Sequence, residues 1–205
     1  MSNRSLTKHL LLVCALVFAE SIAAYAAADK SQPTNGGKKL TRASEKFVKE
    51  AAEGGMMEVE LGKLAVEKAN REQVKAFGRQ MQDDHGKANE ELKAIAAANG
   101  VRFPQSLQGK HKRTADRLAK LSGTEFDLQY MRFIIEDHKK DLDAFQREAD
   151  KGQDPDVKQF AAKQLPILKK HLDAAQATER QVKESSKPMP SGALPYPNNL
   201  RTAGL

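Results

Sequence analysis

VKAFGRQMQDDHGKANEELKAI, residues 74–95, puts Val74, Phe77, Gly78, Met81, Ala88, Leu92 and Ile95 at steps of three and four or their sums. That spacing lays one apolar stripe along an α-helix, whereas a half-buried strand would alternate at every second residue. His85 interrupts the stripe from inside, four residues after Met81 and three before Ala88. The pattern returns at Val157, Phe160, Ala161, Gln164, Leu165, Leu168, Leu172 and Ala175. His171 stands inside that second stripe, three residues after Leu168 and four before Ala175.

Outward from these two stripes, the spacing predicts four long helices, over about Thr41–Ala69, Arg71–Asn99, Thr124–Lys151 and Pro155–Glu184. Gly100 is a helix stop, Ser122-Gly123-Thr124 opens the third helix, and Pro155 suits a first helical turn. Pro166 is expected to kink the fourth helix or to curve it around the core. The links within the first and second pairs are tight, so each pair is expected to form an antiparallel hairpin. Val101–Gly123 is longer, carries a short basic helix near Lys110–Leu121, and can return along the bundle. The expected fold is therefore all-α, two antiparallel hairpins joined by a crossover, as in ferritin-like four-helix bundles.

The halves also look duplicated. Val74-Lys75-x-Phe77 with Gln80-Met81 matches Val157-Lys158-x-Phe160 with Gln164-Leu165, allowing one residue of slack. The interval from Phe47 to Val66 recurs from Phe126 to Phe145, which sets Glu58 opposite Asp137.

Composition agrees with helices. At 205 residues the chain suits one domain, and 30% charged residues exclude a polytopic membrane protein. Aromatics at 5% and no Trp disfavour a β-sandwich or barrel. The single cysteine, Cys14, excludes a disulfide framework and cysteine-based zinc or iron–sulfur sites.

Residues 1–26 read as a signal peptide. Arg4 and Lys8 are its basic region, Leu10–Ala19 its apolar region, and Ala24-Tyr25-Ala26 a small-x-small cleavage site, with Ala26-x-Ala28 as a neighbouring option. Cleavage takes away Arg4, Lys8 and Glu20, which lowers the formal charge from +7 to +6. The expected location is the periplasm or the cell exterior, with no integral membrane segment after cleavage. Residues 27–40 read as a flexible linker, 41–184 as the bundle and 185–205 as a disordered Pro-rich tail. Basic and acidic residues interleave along every helix, which argues against nucleic acid as a partner. An envelope partner of unknown identity is the remaining expectation.

Glu58, His85, His138 and His171 are the residues that break the stripes. Each also lies near the midpoint of its helix, and midpoints of similar helices coincide in a bundle whichever way each runs. One carboxylate and three imidazoles are therefore expected to converge at mid-bundle, with Asp84 and Asp137 placed to orient a histidine on another helix. The set suits one Zn, Fe, Mn or Cu ion. Met56, Met57, Met81 and Met131 nearby keep copper in view, although methionines at helical spacing also serve as core filler. The alternative is a hydrogen-bonded polar layer that fixes helix register and holds nothing, in a cofactor-free structural or interaction module. No nucleophile constellation or phosphate-cradling glycine loop is legible, so no catalytic residue is assigned.

Phe47-Val48-Lys49-Glu50-Ala51-Ala52, Phe77-x3-Met81-x-Asp83-Asp84-His85-x-Lys87-Ala88-Asn89, Asp137-His138-x-Lys140 and Leu165-Pro166-x4-His171-Leu172 together resemble the domain-of-unknown-function family 4142 of exported bacterial proteins. The resemblance covers about Thr41–Glu179 and implies an envelope location and a ferritin-like fold. It implies no established activity. Di-iron bundles carry Glu-x-x-His on two helices. Here Gln82 stands three residues before His85 and Leu168 three before His171, so the bridged di-iron pattern is absent.

Overall fold

The computed structural model describes residues 39–186. They form α1 (Arg42–Lys68), α2 (Glu72–Ala98), α3 (Gly109–Leu118), α4 (Gly123–Lys151) and α5 (Pro155–Ser185). The four long helices end within two residues of their predicted bounds, and α3 stops three residues short. The signal-peptide and linker expectations over residues 1–38, and most of the tail, lie outside the described residues. No helix among the described residues is long and apolar enough to cross a membrane.

The ends are set by local chemistry. The Thr41 hydroxyl accepts from Ser44 N–H at 3.2 Å, capping α1. After α2, Gly100 adopts φ +66°, and Val101 N–H closes on Ala96 O at 2.8 Å. That left-handed residue satisfies the last carbonyls without a Cβ penalty. α5 runs unbroken through Pro166, whose ring faces solvent.

α1 packs along α2 and α4 along α5, giving the two expected hairpins. Ala69 pairs with Gly123 at one end of the bundle. At the other end Thr41 N and Oγ1 donate to Asp154 Oδ2 at 3.1 and 3.2 Å, and Phe47 meets Phe145 edge-on at 4.9 Å. Those contacts make α1 and α4 antiparallel, so the 99–122 link returns the chain along the bundle, carrying α3. α1 and α2 approach closely through Gly62 and Gly78. A Cβ on Gly62 would lie 2.6 Å from the Gly78 carbonyl oxygen, and one on Gly78 would lie 2.8 Å from that of Gly62.

The apolar core is divided. One cluster gathers Met57, Leu61, Phe77, Met81, Phe126, Tyr130 and Ile134, and the other Phe47, Val48, Leu92, Phe145, Phe160 and Leu168. Glu58, His85, His138 and His171 belong to neither, although every one is buried. They form the layer between the two clusters.

Candidate metal centre

Each long helix contributes one of the four layer residues, and each arrives there because it stands inside its helix's apolar stripe. Glu58 is 1% exposed, His85 7%, and His138 and His171 0%. His85 Nδ1 lies 2.9 Å from Glu58 Oε2, and His138 Nδ1 lies 3.1 Å from Glu58 Oε1. His138 Nε2 faces His171 Nδ1 at 3.3 Å, and His171 Nε2 faces Asp84 Oδ2 at 2.9 Å. One ring nitrogen of each histidine lies within 4.8 Å of the others. Two nitrogens bound tetrahedrally to one ion at about 2 Å would stand about 3.3 Å apart. The His138–His171 pair already has that separation, and the three histidines together could hold a metal ion.

Charge favours the ligating form. Burial pushes His85 down to about 4 against the opposing pull of Asp141, Asp84 and Asp137. Burial, then the charges of His85 and His171, holds His138 well below the ordinary imidazole range. Burial also lowers His171, outweighing its hydrogen bond to Asp84. Glu58 is pushed well up by burial and by the charge of Asp137. Both partners of each Glu58–histidine contact are thus driven toward neutrality, so these contacts are not resting ion pairs. Burial pushes Asp84 up, but hydrogen bonds from His171 and Gln80 outweigh it and hold its carboxyl low. Neutral imidazoles are what a metal requires.

A closed polar layer would pair all of these atoms. Among the described residues, His85 Nε2, His138 Nδ1 and Glu58 Oε1 instead have no hydrogen-bond partner, the 3.1 Å His138–Glu58 contact being out of line for one. The buried Tyr130 hydroxyl is also unpartnered, and burial with the nearby Glu58 charge raises its pKa. Orphaned buried donors and acceptors each cost about 1–3 kcal/mol. A cation bound at His85 Nε2 would relieve part of that penalty.

The structure brings together Glu58, His85, His138 and His171, with Asp84 behind His171. Asp137 takes another place. It makes no hydrogen bond to a histidine among the described residues and lines a cleft beside Lys110 and His111. His111 Nδ1 lies 3.4 Å from Glu53 Oε2 in the same region. Met57, Met81 and Met131 are buried in the first apolar cluster, and Met56 lines an outer groove. Asp141 is the residue that sequence reasoning passes over. One of its carboxylate oxygens comes within 4.8 Å of ligand atoms on both Glu58 and His138. Burial, then Glu58 and Asp137, pushes its pKa well up. The signal is present in His138-x-x-Asp141, a spacing that puts both side chains on one helical face.

Metal-free stability has a predicted pH signature at His85. Its folded pKa, about 4, lies below the ordinary 6.5, so the unfolded chain gains a proton first as pH falls. The contribution is therefore full above pH 6.5 and lost as pH drops to about 4. Urea titrations of metal-free wild type and His85→Leu should show their stability difference moving against wild type by about 3 kcal/mol over that interval. A difference independent of pH would contradict a neutral, desolvated His85.

The family description "Domain of unknown function (DUF4142)" matches residues 29–178 of the chain. The chain belongs to this family. Membership in DUF4142 brings no activity with it, and no curated protein matches the chain. Among solved structures, a DUF305 fragment from Deinococcus radiodurans is similar, with a TM-score of 0.62 at 14% identity. The match covers 70% of this chain and 99% of that one, and at this identity the likeness concerns the fold alone.

Proposed function

We propose that this DUF4142 protein is an exported metal-binding bundle that holds one first-row transition ion at mid-bundle, in an envelope or stress role. His85, His138 and His171 supply the ligand nitrogens. Asp84 holds the other side of the His171 ring, and Glu58 Oε2 lies 2.9 Å from the other side of the His85 ring, the role carboxylates commonly play behind metal-bound imidazoles. The observation that carries the reading is the convergence of three buried imidazoles within 4.8 Å, with His85 Nε2 left unpartnered. The bound ion would supply a Lewis acid or redox centre in a dry layer. Export rests on the basic, apolar and small-x-small sequence of residues 1–26.

Mass-spectrometric metal analysis of mature protein, recovered from the periplasm without nickel affinity, tests the reading. Near-stoichiometric metal is expected, falling below one-tenth per chain in a His85→Ala/His138→Ala variant that remains folded. Wild type free of metal, and refusing Zn, Co or Cu on titration, would leave the layer as architecture.

A further inference from the structure

The His85, His138 and His171 triad is not the only ligand set in the layer. Glu58, His138 and Asp141 form a second, with one ligand atom from each within 4.8 Å of the others. Two atoms of this set, Glu58 Oε1 and His138 Nδ1, are buried and lack a hydrogen-bond partner among the described residues. Their residues are 1% and 0% exposed, so neither atom finds relief in water. This second set involves the Nδ1 edge of the His138 ring, whereas Nε2 faces His171.

Two residues of the same set, Glu58 and Asp141, line a small cavity of about 30 Å³, together with Gly54, His85 and Asn89 among others. That is room for a single water molecule or an ion's last aqua ligand. Ala51, Gly54, Asp141 and Phe145 line both this cavity and an open cleft of about 310 Å³ walled by residues of α1, α3 and α4, so only these residues stand between the two. Glu50, Glu53 and Asp137 stand in the cleft, opposed by Lys110, Lys140 and Arg147, with His111 between them. Gly54 leaves the junction clear, because a Cβ there would meet nothing within 4 Å. Carboxylates thus line the cleft and the cavity alike, with Asp141 in both and Glu58 in the cavity.

We infer that Glu58, His138 and Asp141 form a second, transient cation position through which a divalent metal passes from the cleft to the histidine triad. The inference rests on the triad being a metal site. A fully desolvated ion could not cross an apolar wall at useful rates, since stripping its water without replacement ligands is prohibitive. Two carboxylates and one imidazole replace that water part-way. Because both positions use His138, an ion at the triad and an ion at the outer set compete for one ring, and a single ion is retained at equilibrium.

Stopped-flow loading of the mature protein with Co(II), followed by its visible absorption, tests this. Asp141→Asn removes the outer carboxylate, and Gly54→Leu narrows the junction without altering charge. Asp173→Asn, an exposed acidic site elsewhere on the surface, controls for general electrostatics. Loading is expected to slow at least tenfold in Asp141→Asn and in Gly54→Leu, with the final spectrum and one-ion stoichiometry unchanged, while Asp173→Asn loads at the wild-type rate. Loading of Asp141→Asn at the wild-type rate overturns the outer position, and the same result for Gly54→Leu overturns the route. Neither result touches the triad. A wild type that never takes up Co(II) overturns the triad and the route together.

Discussion

On the proposed metal reading, a chelator is expected to lower the melting temperature of the metal-loaded protein by about 10 °C. An ion that binds only the folded chain stabilises it by about 4 kcal/mol at a thousandfold excess over its dissociation constant. For a domain of this size each kcal/mol shifts the midpoint by about 2–4 °C. The triad does not exist in the unfolded chain, because His85, His138 and His171 come from three helices far apart in sequence. His138→Leu separates metal binding from architecture. It should abolish the metal-dependent shift, since the ring shared by both ligand sets is gone. In the metal-free state it should melt within a few degrees of metal-free wild type. Leucine removes the buried His138 Nδ1, which has no hydrogen-bond partner among the described residues, but leaves His171 Nδ1 without its 3.3 Å partner, so the two effects nearly cancel. Were the layer a satisfied hydrogen-bonded network, the same substitution would destabilise by several kcal/mol and the chelator would change nothing. Calorimetry of the two proteins, with and without metal, distinguishes these outcomes.

Much of this arrangement is legible in the amino-acid sequence, and for identifiable reasons. Helix spacing at Val74–Ile95 and Val157–Ala175 fixes which face is buried, and His85 and His171 stand inside those faces by count alone. Height follows from equal helix lengths, which is why Glu58 and His138 are expected at the same level. Which atoms meet is not legible in the same way. That Glu58 contacts two histidines with its two oxygens, and that Asp84 reaches His171, depends on helix rotation to within a few tens of degrees. Apolar spacing does not resolve that angle. Asp137 and Asp141 illustrate the limit. They lie one helical turn apart on the edge of the same face, and only the packing of α1 and α3 leaves Asp137 in the cleft alone while Asp141 reaches the layer as well. In a chain with 27 acidic residues, neither stands out by composition.

Gly62→Ala is expected to destabilise the fold by about 1–3 kcal/mol, even though alanine is the better helix former. The added Cβ would lie 2.6 Å from the Gly78 carbonyl oxygen, and a backbone atom cannot swing aside as a side-chain tip can. α1 and α2 must then separate. Gly86→Ala provides the opposite sign within the same pair of helices, because its Cβ meets nothing within 4 Å. There only the propensity gain remains, and stability should rise by about 0.5–1 kcal/mol. Urea titration of the two variants checks both signs, and a Gly62→Ala protein as stable as Gly86→Ala would refute the close approach. The consequence reaches the layer. Glu58 lies one turn from Gly62 on α1, and its Oε2 is 2.9 Å from His85 Nδ1 on α2. Any outward shift of α1 lengthens that contact and frees the His85 ring to rotate. Metal affinity should therefore fall in Gly62→Ala with no ligand altered. The approach of two glycines sets the distance at which a carboxylate on one helix can orient an imidazole on the next.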